Sequence, residues 1–278
     1  MAFTISCPGS SAARDVGSAK GHKTEIPFGI YNGNLIIVKA TVGSVKNVNL
    51  ILDTGTSPTA INKVMADRLN VRGKAGLLQT LTGTTQVQSV TLPSIQIGPL
   101  HADFITGVVE DLSFLERSLG ISLGGIVGLD ILRSSSFAID YRRQKIIFGP
   151  VAASEKAVHF ETQIPYLSVK AMIEGQEVRL LVDSGTPGLL VYRNRLRIAP
   201  KQLHVDPNAS ISTAGGATHV SWLSTEVSIG KGSLGTRNVA IADVDSDHQS
   251  DFDGLLGLAT IGFHKVCFDF ENGLFVWE

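Results

Sequence analysis

Short aliphatic and β-branched runs, broken every few positions by Gly, Asn or Pro, set the pattern of this chain. LIIVKATV from Leu35, VNLILD from Val48, VQSVTLPSIQIG from Val87 and FAIDYRRQKIIFG from Phe137 all have strand length and strand composition. The pattern predicts an all-β protein. An Asn-Gly pair between apolar runs, ENGL at Glu271 to Leu274, predicts a hairpin. Helical spacing is confined to Asn62–Asn70 and Leu112–Leu119.

The same pattern is written twice. VKATVGSVKNVNLILDTGTSPTAI, from Val38 to Ile61, recurs as VKAMIEGQEVRLLVDSGTPGLLV, from Val169 to Val191, which sets Asp53 on Asp183 at an offset of 130. GGIVGLDIL from Gly124 matches DGLLGLATI from Asp253, and FAIDYRRQKIIFG matches VCFDFENGLFVWE, both at an offset of 129. Between them, TGTTQVQSVTLPSIQIG from Thr82 aligns with AGGATHVSWLSTEVSIG from Ala214. Four blocks in one order point to duplication of a unit of about half the chain. The expected organisation is a leader over residues 1–24, a first lobe over 25–150 and a second over 151–278. The aperiodic segment Gly149–Val158 is the linker between them.

Composition narrows the function classes. At 278 residues the chain is long enough to bury a core without disulfides or metal, and 43% hydrophobic with 18% charged residues is the balance of a folded protein. The net charge of -1 supplies no field for nucleic acid or an anionic membrane, and no stretch reaches the length of a membrane helix. The two cysteines, Cys7 and Cys267, form no framework, and seven scattered His residues lack metal-ligand spacing. The first 24 residues have no apolar signal-peptide core, which leaves the compartment open, export by a signal removed beforehand included. In DVDSDHQSDFDG, Asp243, Asp245 and Asp247 imitate half of a calcium loop. His248 stands where such a loop needs Gly and Gly254 where it needs Glu, so a solvated acidic loop is the expectation. The basic run RNRLRIAPK, Arg193 to Lys201, reads as a solvated face or as a contact for acidic substrate residues.

Chemistry concentrates in DTGT, Asp53 to Thr56, and DSGT, Asp183 to Thr186. Each places a carboxylate at the end of an apolar strand, with a Gly for a tight turn and hydroxyls on either side. Two such loops related by a twofold axis bring two carboxylates face to face, where like charges force them to share one proton. One then acts as a base and the other as an acid, enough to activate water and protonate an amide carbonyl without a metal or a covalent intermediate.

With an apolar-apolar-Gly block following each motif, Ile126–Gly128 and Leu255–Gly257, the paired loops resemble those of the aspartic peptidases. The covalent duplication is like pepsin, and the compactness of each half is like a retropepsin subunit, so the chain resembles a single-chain bilobal retropepsin-like peptidase of bacterial type. The resemblance implies two pseudo-twofold-related β-barrel lobes with a cleft between them. It implies that Asp53 and Asp183 are catalytic and that Gly128 and Gly257 are the glycines of a ψ-shaped motif. Thr54 and Ser184 take the position that links the two loops, and Thr56 and Thr186 the position that bonds a carboxylate. Gly55 and Gly185 complete the motifs. Leu81, Thr82, Gly83 and Thr84 with Thr213, Ala214, Gly215 and Gly216 fall at the flap tips. Two departures stand out: Leu78–Gln88 lacks the flap Tyr of pepsin, and Pro187 follows DSGT. The implied activity is endopeptidase cleavage of a peptide or unfolded protein by a monomer, with no cofactor and no metal. The cleft would be lined by Leu78, Leu81, Ile126, Ile211 and Leu255. Two other readings remain: a catalytically silent peptide-binding module on the same fold, and a processing enzyme for one partner.

Overall fold

A computed structural model describes residues 23–80, 83–163, 166–213, 216–243 and 252–278. The first half comprises β1 (Thr24–Tyr31), β2 (Leu35–Val42), β3 (Val45–Leu52), β4 (Ala60–Asn62), α1 (Lys63–Arg68), β5 (Lys74–Thr80), β6 (Gly83–Ile97) and β7 (Leu100–Glu110). It continues through α2 (Ser113–Leu119), β8 (Gly125–Val127), the single turn α3 (Leu129–Leu132), β9 (Phe137–Asp140) and β10 (Lys145–Phe148). The second half comprises β11 (Ala157–His159), β12 (Glu161–Gln163), β13 (Tyr166–Ile173), β14 (Gln176–Asp183), β15 (Leu189–Tyr192) and β16 (His204–Thr213). It ends with β17 (Gly216–Ile229), β18 (Gly232–Ala242), β19 (Gly254–Gly257), β20 (Lys265–Asp269) and β21 (Leu274–Trp277).

The duplication reappears in the pairing. The order β1-β2-β3-β8-β4-β7-β6-β5 in the first half matches β12-β13-β14-β19-β15-β18-β17-β16 in the second, and each lobe curls so that β6 also pairs with β2 and β17 with β13. A second arrangement joins the lobes. Strands β11, β21 and β20 continue the sheet through β9, β10 and β1, three from each half, with Phe268 opposite Phe137 at the junction. Those two rings are fully buried and stack at 4.8 Å between centroids. Burying them requires both halves, so the main hydrophobic core runs through the two lobes without a break.

Helices form at both expected places. Asp111 Oδ1 accepts the Ser113 amide at the start of α2, and Gly120, at φ 67°, ends it in the left-handed conformation that glycine adopts without strain. Leu112 and Leu115 turn inward from this helix. ENGL does join a hairpin, β20 to β21, with Asp269 opposite Leu274. Only Gly273 has positive φ, while Asn272 donates its amide and its side chain to the Asp269 carboxylate, so the Asn acts through hydrogen bonds. The linker is shorter than its lack of periodicity suggests, because Ala157 and Val158 already belong to β11 on β21.

Candidate active site

Each lobe presents one loop at the end of a strand. In the first, β8 runs parallel to β3 and lies between it and β4, so the Asp53 amide donates to Val127 O at 3.0 Å and Leu129 N donates to Thr56 O at 2.8 Å. Gly128 sits where a Cβ would come within 2.4 Å of Thr56 O, which explains why only glycine fits beneath the loop. In the second, β19 lies between β14 and β15, Asp183 is opposite Gly257, and a Cβ on Gly257 would be 2.4 Å from Thr186 O. The buttressing behind the loops differs. Thr59 donates its amide and hydroxyl to Asp130 at 2.9 and 2.8 Å, and its oxygen accepts the Gly128 amide. Burial pushes the Asp130 carboxyl up. The repeat has Leu189 and Ala259 at those positions, and Thr260 instead donates both its amide and its hydroxyl to Pro187 O.

The two loops interlock across the lobes. Thr54 Oγ1 donates to Val182 O at 2.9 Å and accepts the Ser184 amide at 3.0 Å; Ser184 Oγ donates to Leu52 O at 3.0 Å and accepts the Thr54 amide at 3.0 Å. All these groups are buried, so the ring of four bonds satisfies donors and acceptors that water cannot reach.

Inside this ring lie the carboxyls, Asp53 2% exposed and Asp183 fully buried. Asp53 accepts Gly55 N at 2.8 Å and Thr56 Oγ1 at 2.9 Å. Asp183 accepts Gly185 N at 2.7 Å, Thr186 N at 3.1 Å and Thr186 Oγ1 at 2.7 Å. Each glycine faces the opposite carboxyl: a Cβ on Gly55 would be 2.5 Å from Asp183 Cγ, and one on Gly185 would be 2.6 Å from Asp53 Oδ2. Burial, then the charge of Asp183, pushes the Asp53 carboxyl well above the ordinary aspartate range. Such a pair holds one proton over a wide pH range.

Buried apolar clusters lie beside the strands that carry the carboxyls. Ile51 and Leu181 stand two residues before Asp53 and Asp183, hence on the same side of their strands. Around Ile51 gather Leu35, Leu78, Val108, Leu112, Leu115 and Ile126; around Leu181 gather Leu190, Tyr192, Val220, Phe252 and Leu255, with Tyr166 and Ile211 packed against them. Of the expected cleft residues, Leu78 and Ile126 belong to the first of these buried clusters and Ile211 and Leu255 to the second. Leu81, Thr82, Ala214 and Gly215 lie outside the described residues. The hairpins that end at them are matched, with Thr80 opposite Gly83 and Thr213 opposite Gly216, and Thr84 follows in β6. Gly83 therefore corresponds to Gly216, one position away from the alignment of the sequence repeats. A register shift between Val227 and Ser228 in the β17–β18 pair takes up the extra residue.

Three residues near the pair escaped sequence reasoning. Asn34 Nδ2 donates to Gly185 O at 2.6 Å. The hydroxyls of Tyr141 and Tyr192 are buried with no hydrogen-bond partner among the described residues, and burial, with a smaller contribution from Asp183, pushes both phenols up. The basic run is mostly exposed, and on it Arg193 pairs with Asp243 and Arg195 with Asp253. Residues 244–251 of the acidic run, like residues 1–22 of the leader, are outside the described residues. Among the described residues no group of three or more His, Cys, Asp or Glu is placed to hold a metal ion, and no helix is long and apolar enough to cross a membrane.

Comparison with known proteins bears on the same two loops. The sequence profile of a family described as aspartyl protease matches residues 38–131 and again residues 169–260. Among solved structures, the aspartic proteinase from Irpex lacteus superposes with a TM-score of 0.55 over 92% of this chain and 97% of that one, at 14% sequence identity. At that identity the likeness is one of fold. The search of curated protein sequences returned no significant match.

Proposed function

The chain belongs to the aspartyl protease family, and from that premise we propose that it is an endopeptidase whose reaction is carried by Asp53 and Asp183 together. The observation that supports this most strongly is the geometry of the pair: two buried carboxyls, each set against the glycine of the other's loop and each supplied with donors by its own loop. In this reading Asp53 holds the proton and Asp183 is the carboxylate. Asp183 takes a proton from a water whose oxygen attacks the peptide carbonyl carbon, while Asp53 gives its proton to the carbonyl oxygen. The tetrahedral diol then collapses. Asp183 passes its proton to the amide nitrogen, the C–N bond breaks, and Asp53 recovers its proton from the diol hydroxyl as the acid forms.

The substrate is an extended peptide, whose alternate side chains pack on the aliphatic and the aromatic cluster beside the two strands. Both loops come from one chain, so the monomer is the active unit. The test is incubation of an unfolded protein such as casein with the purified chain across acid to neutral pH, with and without pepstatin, and mass spectrometry of the products. Pepstatin-sensitive cuts between large apolar residues are the expected result. No cleavage at any pH would instead favour a peptide-binding module, and cuts beside charged residues would remove that assignment of the clusters.

A further inference from the structure

Two copies of one loop ought to give two equal carboxyls, yet this pair is unequal in its donors. Asp183 accepts three hydrogen bonds from its own loop and Asp53 two. The additional donor is Thr186 N, and it belongs to the peptide group whose carbonyl is Gly185 O. That carbonyl accepts Asn34 Nδ2 at 2.6 Å, from the other lobe. An amide whose oxygen is already bonded is more polarised, and its N–H becomes a better donor. Asn34 therefore acts on Asp183 through a single peptide unit.

Local structure fixes the side chain that does this. Asn32 and Gly33 both have positive φ, 48° and 78°, and turn the chain between β1 and β2 so that Asn34 N donates to Tyr31 O. Asn34 is 8% exposed, and the strand that follows begins with Leu35 in the aliphatic cluster. The pairing of β2 with β3 and of β13 with β14 sets Leu35 against Tyr166 in the repeat, so Asn34 corresponds in sequence to Pro165. A proline side chain has no donor. Nothing among the described residues does for Gly55 O what Asn34 does for Gly185 O.

We propose that Asn34 is a positioning residue that breaks the symmetry of the pair, holding the shared proton on Asp53 and the charge on Asp183. The inference rests on the reading of these two residues as the acting pair. Among the described residues, the other titratable groups that face it do not supply the bias by charge. The Tyr141 and Tyr192 phenols are held neutral by burial, and Asp130 is a layer behind, bonded to Thr59. A carboxylate that accepts more and stronger hydrogen bonds keeps its charge at the expense of its partner.

The test reads the carboxyls directly. The chain is labelled with 13C at aspartate Cγ, and the two resonances are assigned with Asp53→Asn and Asp183→Asn. At the pH where the pair holds one proton, Asp53 should show the shift of a carboxylic acid and Asp183 that of a carboxylate. In Asn34→Leu the separation between them should shrink by half or more. Asn34→Ser, whose shorter side chain does not span to Gly185 O, is read in the same way and decides the matter if the Leu variant does not fold. Equal shifts in the wild type, or an unchanged separation in the folded variants, would overturn the proposal. The readout needs no turnover, so loss of the peptidase reading and loss of the Asn34 reading are separate results. Where cleavage is measurable, the acidic limb of kcat/KM against pH should move upward in both variants, and a limb that stays in place would count against the role of Asn34.

Discussion

Removing the Ser184 hydroxyl should loosen the junction of the two lobes at its centre. Ser184→Ala deletes one buried oxygen and two hydrogen bonds, the donation to Leu52 O and the acceptance from Thr54 N, each 3.0 Å. The Thr54 amide is then left buried without that partner, at a cost of about 1–3 kcal/mol, and the lost donation adds about 1 kcal/mol. The expected destabilisation is therefore about 2–4 kcal/mol. At about 2–4 °C per kcal/mol for chains approaching this size, Tm should fall by about 4–16 °C. Thr54→Val, which keeps the branched shape, removes the mirror-image pair of bonds to Val182 O and Ser184 N and should cost as much. The four bonds close one ring, so the double variant should cost less than the sum of the two singles by roughly 0.5–3 kcal/mol. Thermal unfolding of the four proteins, followed by circular dichroism, measures both quantities. A Tm within about 1 °C of wild type in either single variant, or strict additivity in the double, would refute the claim that these hydroxyls hold the loops together.

Other consequences follow from the same atoms. Because the Asp53 carboxyl is raised in the fold, it favours the folded state below its ordinary unfolded pKa, and that contribution is lost as pH rises through the raised value. Asp53→Asn does not titrate, so its Tm relative to wild type should climb as pH rises above the ordinary aspartate pKa of about 3.9, and a difference that stays flat or falls would contradict the sign. Gly185→Ala places a Cβ 2.6 Å from Asp53 Oδ2 and should lower kcat/KM by about 100-fold in a peptide assay, through displacement of the pair; activity near wild type would show that the loop gives way. Tyr141→Phe removes a buried hydroxyl without a partner among the described residues, and the repeat already has Phe270 at the matching place. It should leave stability unchanged or raise it by up to about 1 kcal/mol, and a loss of more than about 1 kcal/mol in chemical denaturation would mean that the hydroxyl is bonded.

What was legible in the sequence was what the duplication wrote twice. DTGT and DSGT, their apolar strands and the two later glycines announce themselves as a pattern, and the strand order of one lobe repeats in the other. The join between lobes was not legible. FAIDYRRQKIIFG and VCFDFENGLFVWE read as two ordinary hairpins, and nothing in either says that Phe137 will face Phe268. The flap alignment slipped by one residue because a register shift in the β17–β18 pair leaves no mark on composition. Asn34 was missed for a different reason. Its importance lies in being unlike its counterpart, and a search for repeats discards positions such as Asn34 and Pro165 that do not match. The turn sequence YNGN and that mismatch were signals that together point to the residue.

The most direct measurement is hydrolysis of one peptide, cut at a site mapped by mass spectrometry, by the wild-type chain and by Asp53→Asn and Asp183→Asn, with thermal unfolding as the check on folding. If both carboxyls act on one water, each variant should fold and each should retain no more than about 1% of wild-type kcat/KM. A folded variant of either residue that keeps more than about a tenth of that activity would contradict the account.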